Sequence, residues 1–209
     1  MTADESVRGL EVTVGTGQRP RGAGRAQLHE TALHLFARDG VDGTSLQAIA
    51  DEMGVSKAAV YYHYKTKDEL ILGLLTPLLA EITAMAQRVG AQRGRQARLD
   101  VMISGLVNLA VDDHDRFALI IGDPYVGHLI SEQALAQGWT SLTELVTGPE
   151  SDDSARIALA IYITGLLGPL RDPALVALGS DALRGHMTEC GRRLMQLRRR
   201  PGSAHSPAR

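Results

Sequence analysis

Apolar residues recur along most of the chain at the three- and four-residue spacing of α-helices, and no segment alternates like a half-buried β-strand. One helix face is especially clear, formed by Leu46, Ile49, Ala50 and Met53. Gly54 follows directly, and glycine is the residue best suited to the left-handed conformation of a tight turn. This pattern predicts an all-α protein in which one short helix ends near Gly54.

A second short helix is predicted from Lys57 to His63, with Ser56 at its N-cap. Thr44 is predicted to cap the preceding helix, in a capping box completed by Gln47. Two short helices joined by a tight turn are typical of a helix-turn-helix, whose second helix lies in the DNA major groove. The pattern therefore favours a DNA-binding function.

The faces of the second helix support this interpretation. At about 100° per residue, Val60 and Tyr64 point toward the first two helices, whereas Ala58, Tyr61 and Tyr62 point away. An alanine allows close approach to the bases, and its methyl group can contact that of thymine. A tyrosine hydroxyl can donate to a phosphate.

Two lysines occupy positions that the helix dipole disfavours. Lys57 and Lys67 each lie in the first turn of a helix, the latter after the cap Thr66 and ahead of Glu69 in a second capping box. Either phosphate groups bind at both helix ends, or both lysines are solvated surface residues. With the outward tyrosines, we favour DNA.

One set of residues stands in the order and spacing of a known family: Ala32, Leu35, Phe36, Gly40, Thr44, Ile49, Ala50, Gly54, Val55, Ser56, Tyr61, His63, Lys67 and Leu70. With this set, residues 25–70 resemble the DNA-binding domain of the TetR family of one-component transcriptional regulators. The family usually has phenylalanine where this chain has Tyr64, which adds a hydroxyl group at the edge of the core.

The resemblance implies a role for the exposed positions of the helix-turn-helix. It implies phosphate contacts by Thr44, Lys57, Tyr61, His63 and Lys67. It implies base-edge contacts by Ala58, Ala59 and Tyr62, and we assign Ser56 to the same DNA-binding surface. It also implies repression as the usual outcome, while the base sequence that is read does not follow from it.

The charge balance qualifies this interpretation, because the 209 residues carry a formal net charge of −2 and no overall basic signature. Within residues 25–70, seven acids (Glu30, Asp39, Asp42, Asp51, Glu52, Asp68 and Glu69) outnumber five bases (Arg25, Arg38, Lys57, Lys65 and Lys67). Non-specific affinity grows with the number of phosphates neutralised, so we expect it to be modest. A local basic stripe, doubled by dimerisation, must then carry the binding.

Cysteine content and hydropathy indicate the compartment. Cys190 is the only cysteine, which excludes an internal disulfide bond and fits a reducing cytosol. No apolar run reaches the roughly 20 residues that span a bilayer, and the N-terminus lacks the apolar segment of a signal peptide. We therefore expect a cytoplasmic protein with no membrane partner.

Composition and periodicity divide the chain into four parts. Residues 1–24 are rich in glycine, threonine and arginine and are predicted to be a disordered basic arm. Residues 25–66 form the helix-turn-helix domain, 67–199 a helical ligand-sensing and dimerisation domain, and 200–209 a disordered tail. Three arginines near the first boundary either enter an adjacent minor groove or belong to a solvated tail, namely Arg19, Arg21 and Arg25.

The second domain is predicted to be a bundle of amphipathic helices. Its first helix starts at Lys67, and Pro77 within it removes a hydrogen bond, so a kink is expected near Gly73 unless Thr76 caps a new helix. Further helices are predicted over 96–112, 113–121 with Asp113 as its cap, 125–147, 154–167 and 181–199.

The helix 154–167 is apolar nearly all round, and such a helix must be buried on every side. A homodimer in which helices 154–167 and 181–199 form a four-helix bundle with their two-fold mates would bury it, and the resemblance implies the same dimer. A two-fold dimer matches a palindromic DNA operator. The alternative is a helix wrapped entirely by its own chain.

The family usually encloses a small-molecule effector between its middle helices. The residues that we expect to line such a pocket are Met85, Met102, Leu106, Phe117, Ile121, Trp139 and Tyr162. They are otherwise ordinary core residues. Polar side chains that could orient an effector are Arg116, His114, His128 and Tyr125. Since aromatic residues make up only 4% of the chain, we expect an aliphatic ligand rather than a flat stacking one.

No arrangement of catalytic or metal-ligating residues is convincing. His29 and His34 lie five positions apart, about 140° around a helix, so they cannot share a metal ion. Cys190 with His186 would supply two ligands at most. We therefore expect no enzyme activity, metal or cofactor.

The resulting hypothesis is a regulator in which a bound ligand tilts the helix from Lys67 and moves the two recognition helices out of register with the operator. Two alternatives stay open. One is a helix-turn-helix protein without a small-molecule ligand, and the other is a protein-interaction module that has lost DNA binding.

Overall fold

The computed structural model describes residues 21–131, 136–147 and 153–195, with side chains described in 24–131, 140–145 and 153–195. Every regular element in these ranges is an α-helix, which confirms the predicted all-α class. The helices are α1 Arg21–Gly43, α2 Leu46–Glu52, α3 Lys57–His63, α4 Lys67–Gly90, α5 Arg95–Asp112, α6 His114–Gly122, α7 Pro124–Ser131, α8 Ala136–Thr147, α9 Asp153–Gly165, α10 Leu167–Arg171, α11 Pro173–Val176 and α12 Ser180–Met195.

The first three helices pack through the predicted apolar stripe of α1, and its buried residues are Leu28, Ala32, Leu35 and Phe36. Within α1 the helical geometry breaks at Gly40, whose φ of 77° lies in the left-handed region, as expected for the end of the first helix. Residues 21–24 are helical, although we assigned them to the disordered arm. The rest of that arm, 1–20, and the predicted tail lie outside the described residues.

The predicted cap of α2 is wrong by one residue. Thr44 is only 2% exposed, and its hydroxyl donates to the carbonyl oxygen of Gly40 at 2.8 Å. Ser45 is the N-cap instead, and its side chain accepts the backbone N–H three residues on, at 3.1 Å. Gln47 donates to Asp51, so it completes no box with Thr44. The break at Gly40 leaves a carbonyl that the Thr44 hydroxyl can satisfy, which is why Thr44 turns inward.

The Thr66 cap of the second predicted capping box is formed, but the reciprocal bond from Glu69 goes to the residue before the cap. Thr66 accepts the N–H of Glu69 at 3.1 Å, and the Glu69 carboxylate accepts the N–H of Lys65 at 2.7 Å. The helix that follows, α4, continues through Pro77, and the hydroxyl of Thr76 donates back to the Leu72 carbonyl oxygen. Thr76 therefore caps no new helix. The kink near Gly73 stays a prediction, and the back-bonded hydroxyl favours it.

Helix α4 lies at the centre of the second domain, in contact with α5, α6, α7 and α8. Its mean hydropathy over an 18-residue window is 1.6, so by length and composition this one described helix could cross a membrane, contrary to our reading of the sequence. Half of that window is buried by the protein itself, as in the core helix of a bundle.

Several later boundaries differ from the prediction. The segment 125–147 contains two helices, α7 and α8, and 154–167 contains α9 and the start of α10. Asp113 precedes α6 but makes no capping hydrogen bond, because its carboxylate accepts from Arg116 at 2.9 and 3.2 Å. The last helix is described only as far as Met195.

Helix α9 is buried on one face only. Leu159, Tyr162 and Ile163 face the core, whereas Ile157 is 57% and Ile161 64% exposed. Within the described protomer, the chain therefore does not wrap this helix. The inward face packs closely on α12, since a Cβ atom added at Gly191 would lie 2.5 Å from the Tyr162 hydroxyl oxygen.

We expect Gly191→Ala to lower the thermal midpoint of unfolding, because the added methyl group collides with the buried Tyr162 ring and such overpacking costs about 1–3 kcal/mol. Gly127→Ala is the control, because a Cβ there meets nothing within 4 Å. That change should raise stability by about 0.5–1 kcal/mol through helix propensity. Thermal denaturation of both variants checks the prediction, and a stabilised Gly191→Ala variant would contradict it.

Candidate nucleic-acid interface

The second helix of the helix-turn-helix, α3, is held at both ends. The Ser56 side chain accepts the N–H of Ala59 at 3.3 Å, as predicted, and Gly54 before it has a φ of 64°. Val60 is 1% and Tyr64 6% exposed, so both point into the domain as expected. With these two positions inside, the opposite face of the helix is available to a ligand.

That opposite face combines small and aromatic side chains. Ala58 and Ala59 are exposed, and Tyr62 is 72% exposed, the largest such fraction among the exposed large apolar residues described. The Tyr62 ring meets the half-buried His63 ring edge to face, with centroids 5.3 Å apart. Because Ala58 and Ala59 carry only methyl groups, the helix backbone at these two positions can approach a nucleic acid closely.

Lys57 is directed along the helix rather than away from it. Its Nζ atom lies 5.1 Å from the centroid of the Tyr61 ring, one turn on, which is cation–π geometry. Tyr61 is half-buried, and the face of its ring interacts with the Lys57 charge. Lys65 also folds back, because its Nζ donates to the Tyr61 carbonyl oxygen at 2.7 Å.

Two predicted phosphate contacts have internal partners in the structure. Lys67 Nζ donates to the carbonyl oxygen of Val41 at 2.7 Å, linking the start of α4 to the end of α1. This bond gives one first-turn lysine an acceptor within the protein. The Thr44 side chain is buried close by and bonded to Gly40. Both contacts stay predictions, and DNA would have to compete with these bonds.

The acidic residues of this segment are largely engaged away from α3, which itself contains no carboxylate. Arg38 binds Asp39 at 2.9 Å and lowers the pKa of its carboxyl group through a hydrogen bond. Arg38 also approaches Glu52, at 3.9 Å. Asp68 accepts from the Tyr125 hydroxyl at 2.5 Å. Arg38 thus offsets the negative charge of two of the seven acids in this segment, Asp39 and Glu52.

One cluster at the end of α3 was not foreseen, and we call Arg25, His29 and Tyr64 the hydroxyl node. Arg25 Nε donates to the Tyr64 hydroxyl oxygen at 2.9 Å, and His29 Nε2 lies 2.7 Å from the same oxygen. The His29 and Tyr64 rings stack with centroids 5.8 Å apart. Two features of the sequence could have indicated this cluster. Tyr64 stands where the family usually has phenylalanine, and Arg25 and His29 lie one turn apart on α1.

Burial first, and then the nearby charges of Arg25, Arg116 and His63, together lower the pKa of His29 to about 4. His29 is therefore neutral at physiological pH. Within the described ranges, no group of three or more His, Cys, Asp or Glu side chains is arranged to hold a metal ion.

The residues expected to line an effector pocket lie mainly in the core. Met85, Met102 and Leu106 are fully buried, and Phe117 is almost fully buried. Ile121 is half-buried. The side chain of Trp139 lies outside the described residues. Tyr162 is buried with no hydrogen-bond partner for its hydroxyl, and burial raises its pKa. A buried unpaired hydroxyl is uncommon in a packed core.

Of the seven, Ile121 lines a groove on the described part of the chain. That groove has a volume of about 710 Å³ and runs between α6, α8 and α9. Two of the four polar residues proposed to orient an effector join helices instead. Arg116 Nε donates to the Leu74 carbonyl oxygen at 2.8 Å, and Tyr125 donates to Asp68, so α6 and α7 are both tied to α4.

Comparison with known proteins agrees with this geometry. Residues 28–74 match the family model of bacterial regulatory proteins of the tetR family. A probable acrEF/envCD operon repressor of Escherichia coli K12 is 30% identical over 113 residues, 53% of this chain and 44% of the repressor. A nicotine-responsive transcriptional repressor of Paenarthrobacter nicotinovorans is 38% identical over 65 residues, 31% of this chain and 34% of that protein.

A likeness in fold extends further along the chain. A tetR-family regulatory protein from Rhodococcus RHA1 superposes with a TM-score of 0.61 at 17% identity, over 82% of this chain and 96% of its own. In sequence, however, the matched part spans less than half the length of the curated relatives. The likeness in sequence is thus concentrated in the DNA-binding segment, and the likeness beyond it concerns the fold.

We predict a pH effect from the hydroxyl node. Because the pKa of His29 is about 4 in the fold against an ordinary 6.5, the unfolded chain binds more protons between these values, and stability falls as the pH falls through that window. His29→Gln keeps an acceptor but cannot be protonated, so it should lose less thermal stability between pH 7 and pH 5 than the wild type. His34→Gln, at an exposed position of the same helix, is the control. Parallel pH profiles for all three proteins would refute the assignment.

Proposed function

We propose that this chain is a TetR-family transcriptional regulator, a cytoplasmic repressor that binds a palindromic operator as a homodimer and is released by a small molecule. One observation carries the proposal: α3 is free of carboxylates, is anchored by Val60 and Tyr64, and displays Tyr62 and two alanines on its outer face. Family members are transcriptional regulators rather than enzymes.

The proposed DNA contacts follow from exposure. Ala58, Ala59 and Tyr62 read base edges, because small side chains let the exposed ring reach into the groove. The phosphate contacts are made by the side chains that border this face, namely Ser56, Lys57, Tyr61 and His63. Thr44 and Lys67 contribute mainly by fixing the frame, since both already have internal partners.

The proposed dimer is formed by α9 and α12. Ile157 and Ile161 project from the outer face of α9, and Leu194 is exposed on α12. Full burial of one such side chain contributes about 1.5–3 kcal/mol, so a partner covering this face gains substantially. A two-fold pair also presents two copies of α3, as a palindrome requires.

The proposed effector response uses the junction between the two domains. A relative with 38% identity is nicotine-responsive by name, so a small-molecule effector is the reasonable expectation for this chain. The polar contacts of Arg116 and Tyr125 with α4 would carry a shift of α6 or α7 to the DNA reader. An effector moves that equilibrium only as far as it binds one state better than the other.

A second candidate is a regulator of the same kind without a small-molecule effector. It is favoured by the full burial of Met85, Met102 and Leu106, which are packed as ordinary core residues. A thermal-shift screen with small aliphatic and aromatic compounds separates the two, since a ligand that binds only the folded state raises its thermal midpoint.

The experiment that tests DNA binding is selection of bound DNA from a random pool, which gives both the half-site and its spacing. On the selected operator, Lys57→Ala should weaken binding and reduce the slope of log K against log salt by about 0.9 per subunit. Arg88→Ala removes the same charge from an exposed position at the far end of α4 and should leave the slope unchanged. Equal slopes for all three proteins would remove Lys57 from the phosphate contacts.

For the dimer, we expect Ile161→Asp to yield a monomer in sedimentation equilibrium, because a carboxylate cannot be buried unpaired at the two-fold interface. Operator affinity should fall with it. Gln87→Asp adds the same charge at an exposed site of α4 and should stay dimeric. A dimeric Ile161→Asp variant would place the interface elsewhere.

A further inference from the structure

The hydroxyl node joins three elements that the DNA reader depends on. Tyr64 follows the last residue of α3, Arg25 and His29 belong to the first turns of α1, and the Tyr64 ring lies against Gly73 of α4. A Cβ atom added at Gly73 would lie 2.5 Å from the Tyr64 hydroxyl oxygen. The Tyr64 hydroxyl group therefore fits beside α4 because position 73 is a glycine and has no side chain.

The direction of one hydrogen bond of the node is fixed by its donor. A guanidinium group has donors and no acceptor, so the Tyr64 oxygen accepts from Arg25. The hydroxyl proton is then available to His29 Nε2, which accepts it in the neutral tautomer that carries its proton on Nδ1. Phenylalanine at this position would leave Arg25 Nε and His29 Nε2 without this partner.

The node also determines where Arg25 lies relative to the DNA-facing surface. The first turn of α1 is next to the end of α3, since a Cβ atom added at Gly24 would lie 3.8 Å from His63 Nε2. Arg25 is exposed, and its guanidinium carbon lies 5.4 Å from the centroid of the Tyr64 ring. Its Nη1 and Nη2 atoms form no hydrogen bond within the described part of the chain. Among the described residues, one nitrogen of the cation therefore has a hydrogen-bond partner and the other two have none.

We propose that Tyr64 is a positioning residue for operator binding, whose hydroxyl holds Arg25 beside His63 so that the free guanidinium nitrogens contact an operator phosphate. The proposal rests on the proposed function of α3 as the DNA reader. It adds a phosphate contact from α1 that the helix-turn-helix itself does not contain. It also gives a role to a hydroxyl group at a position where a plain aromatic ring would fill the core.

Holding Arg25 in place lowers the cost of binding. A free arginine side chain loses rotamer entropy when it is fixed on a phosphate, whereas one already bonded through Nε and packed on a ring has lost much of it beforehand. Arg25 then supplies a charge-assisted contact with little ordering. This is the kind of local cation that a chain with a net charge of −2 requires for DNA binding.

The test is equilibrium binding of the full chain to the selected operator over a range of salt concentrations, with Tyr64→Phe, Arg25→Ala and the double variant. We expect Arg25→Ala to weaken binding about tenfold and to reduce the salt slope by about 0.9 per subunit. Tyr64→Phe should weaken binding in the same direction and also reduce the slope. The double variant should be no weaker than Arg25→Ala, because the hydroxyl acts through the arginine.

Arg38→Ala is the matched control, since it removes an exposed arginine from the same helix and Arg38 is paired with Asp39 and Glu52. Its slope should equal that of the wild type. Arg25→Lys is the second variant, in case Tyr64→Phe does not fold: it keeps the charge but not the Nε bond, so the slope should be retained while affinity falls.

Three results would overturn the proposal. These are a Tyr64→Phe variant with wild-type affinity and slope, an Arg25→Ala variant with an unchanged slope, or additive losses in the double variant. A wild-type chain that selects no DNA would instead overturn the proposed function, so the two failures are distinguishable. A merely structural role of Tyr64 would lower the thermal midpoint without changing the salt slope.

Discussion

The molecule depends on holding a helix that is too short to be stable alone. Helix α3 has seven residues, whereas isolated helices below about 12–15 residues are marginal in water. Its position is therefore set by what it buries and by its caps. Val60 and Tyr64 supply the buried anchors, and Ser56 supplies the N-cap. Any function of the exposed face depends on these contacts.

The same constraint explains the chemistry around the helix. Lys67 joins the start of α4 to the end of α1, and the hydroxyl node joins the start of α1 to the end of α3. Three elements are thereby fixed by bonds at both ends of the small domain. These bonds use Lys67 and Arg25, two cations that the sequence analysis considered for DNA contacts, so basic residues serve both the frame and the proposed interface.

The second domain meets the reader at α4, which contacts α5, α6, α7 and α8. Arg116 and Tyr125 bind α4 through polar groups, and these bonds are directional, unlike apolar contacts. They are suited to transmit a shift of α6 or α7. The isoleucines Ile157 and Ile161 of α9 are exposed in the protomer, and the proposed dimer would cover them.

The sequence by itself determined those features of the structure that depend on interactions between residues close together along the chain. The helix periodicity, the left-handed turn at Gly54 and the side-chain caps of Ser56 and Thr66 all follow from neighbours within a turn or two. The family likeness of residues 28–74 is likewise contained in the local pattern. The inward face of α3 followed from its angular period alone.

Only the tertiary structure decided between partners that are distant along the chain. Thr44 turned inward because Gly40 breaks α1, and Lys67 found the carbonyl of Val41, 26 positions away. Arg25 and Tyr64 are separated by 39 positions, so no local rule pairs them. A polar side chain binds whichever group the packed helices bring within about 3 Å, and that choice is made only when the chain has folded.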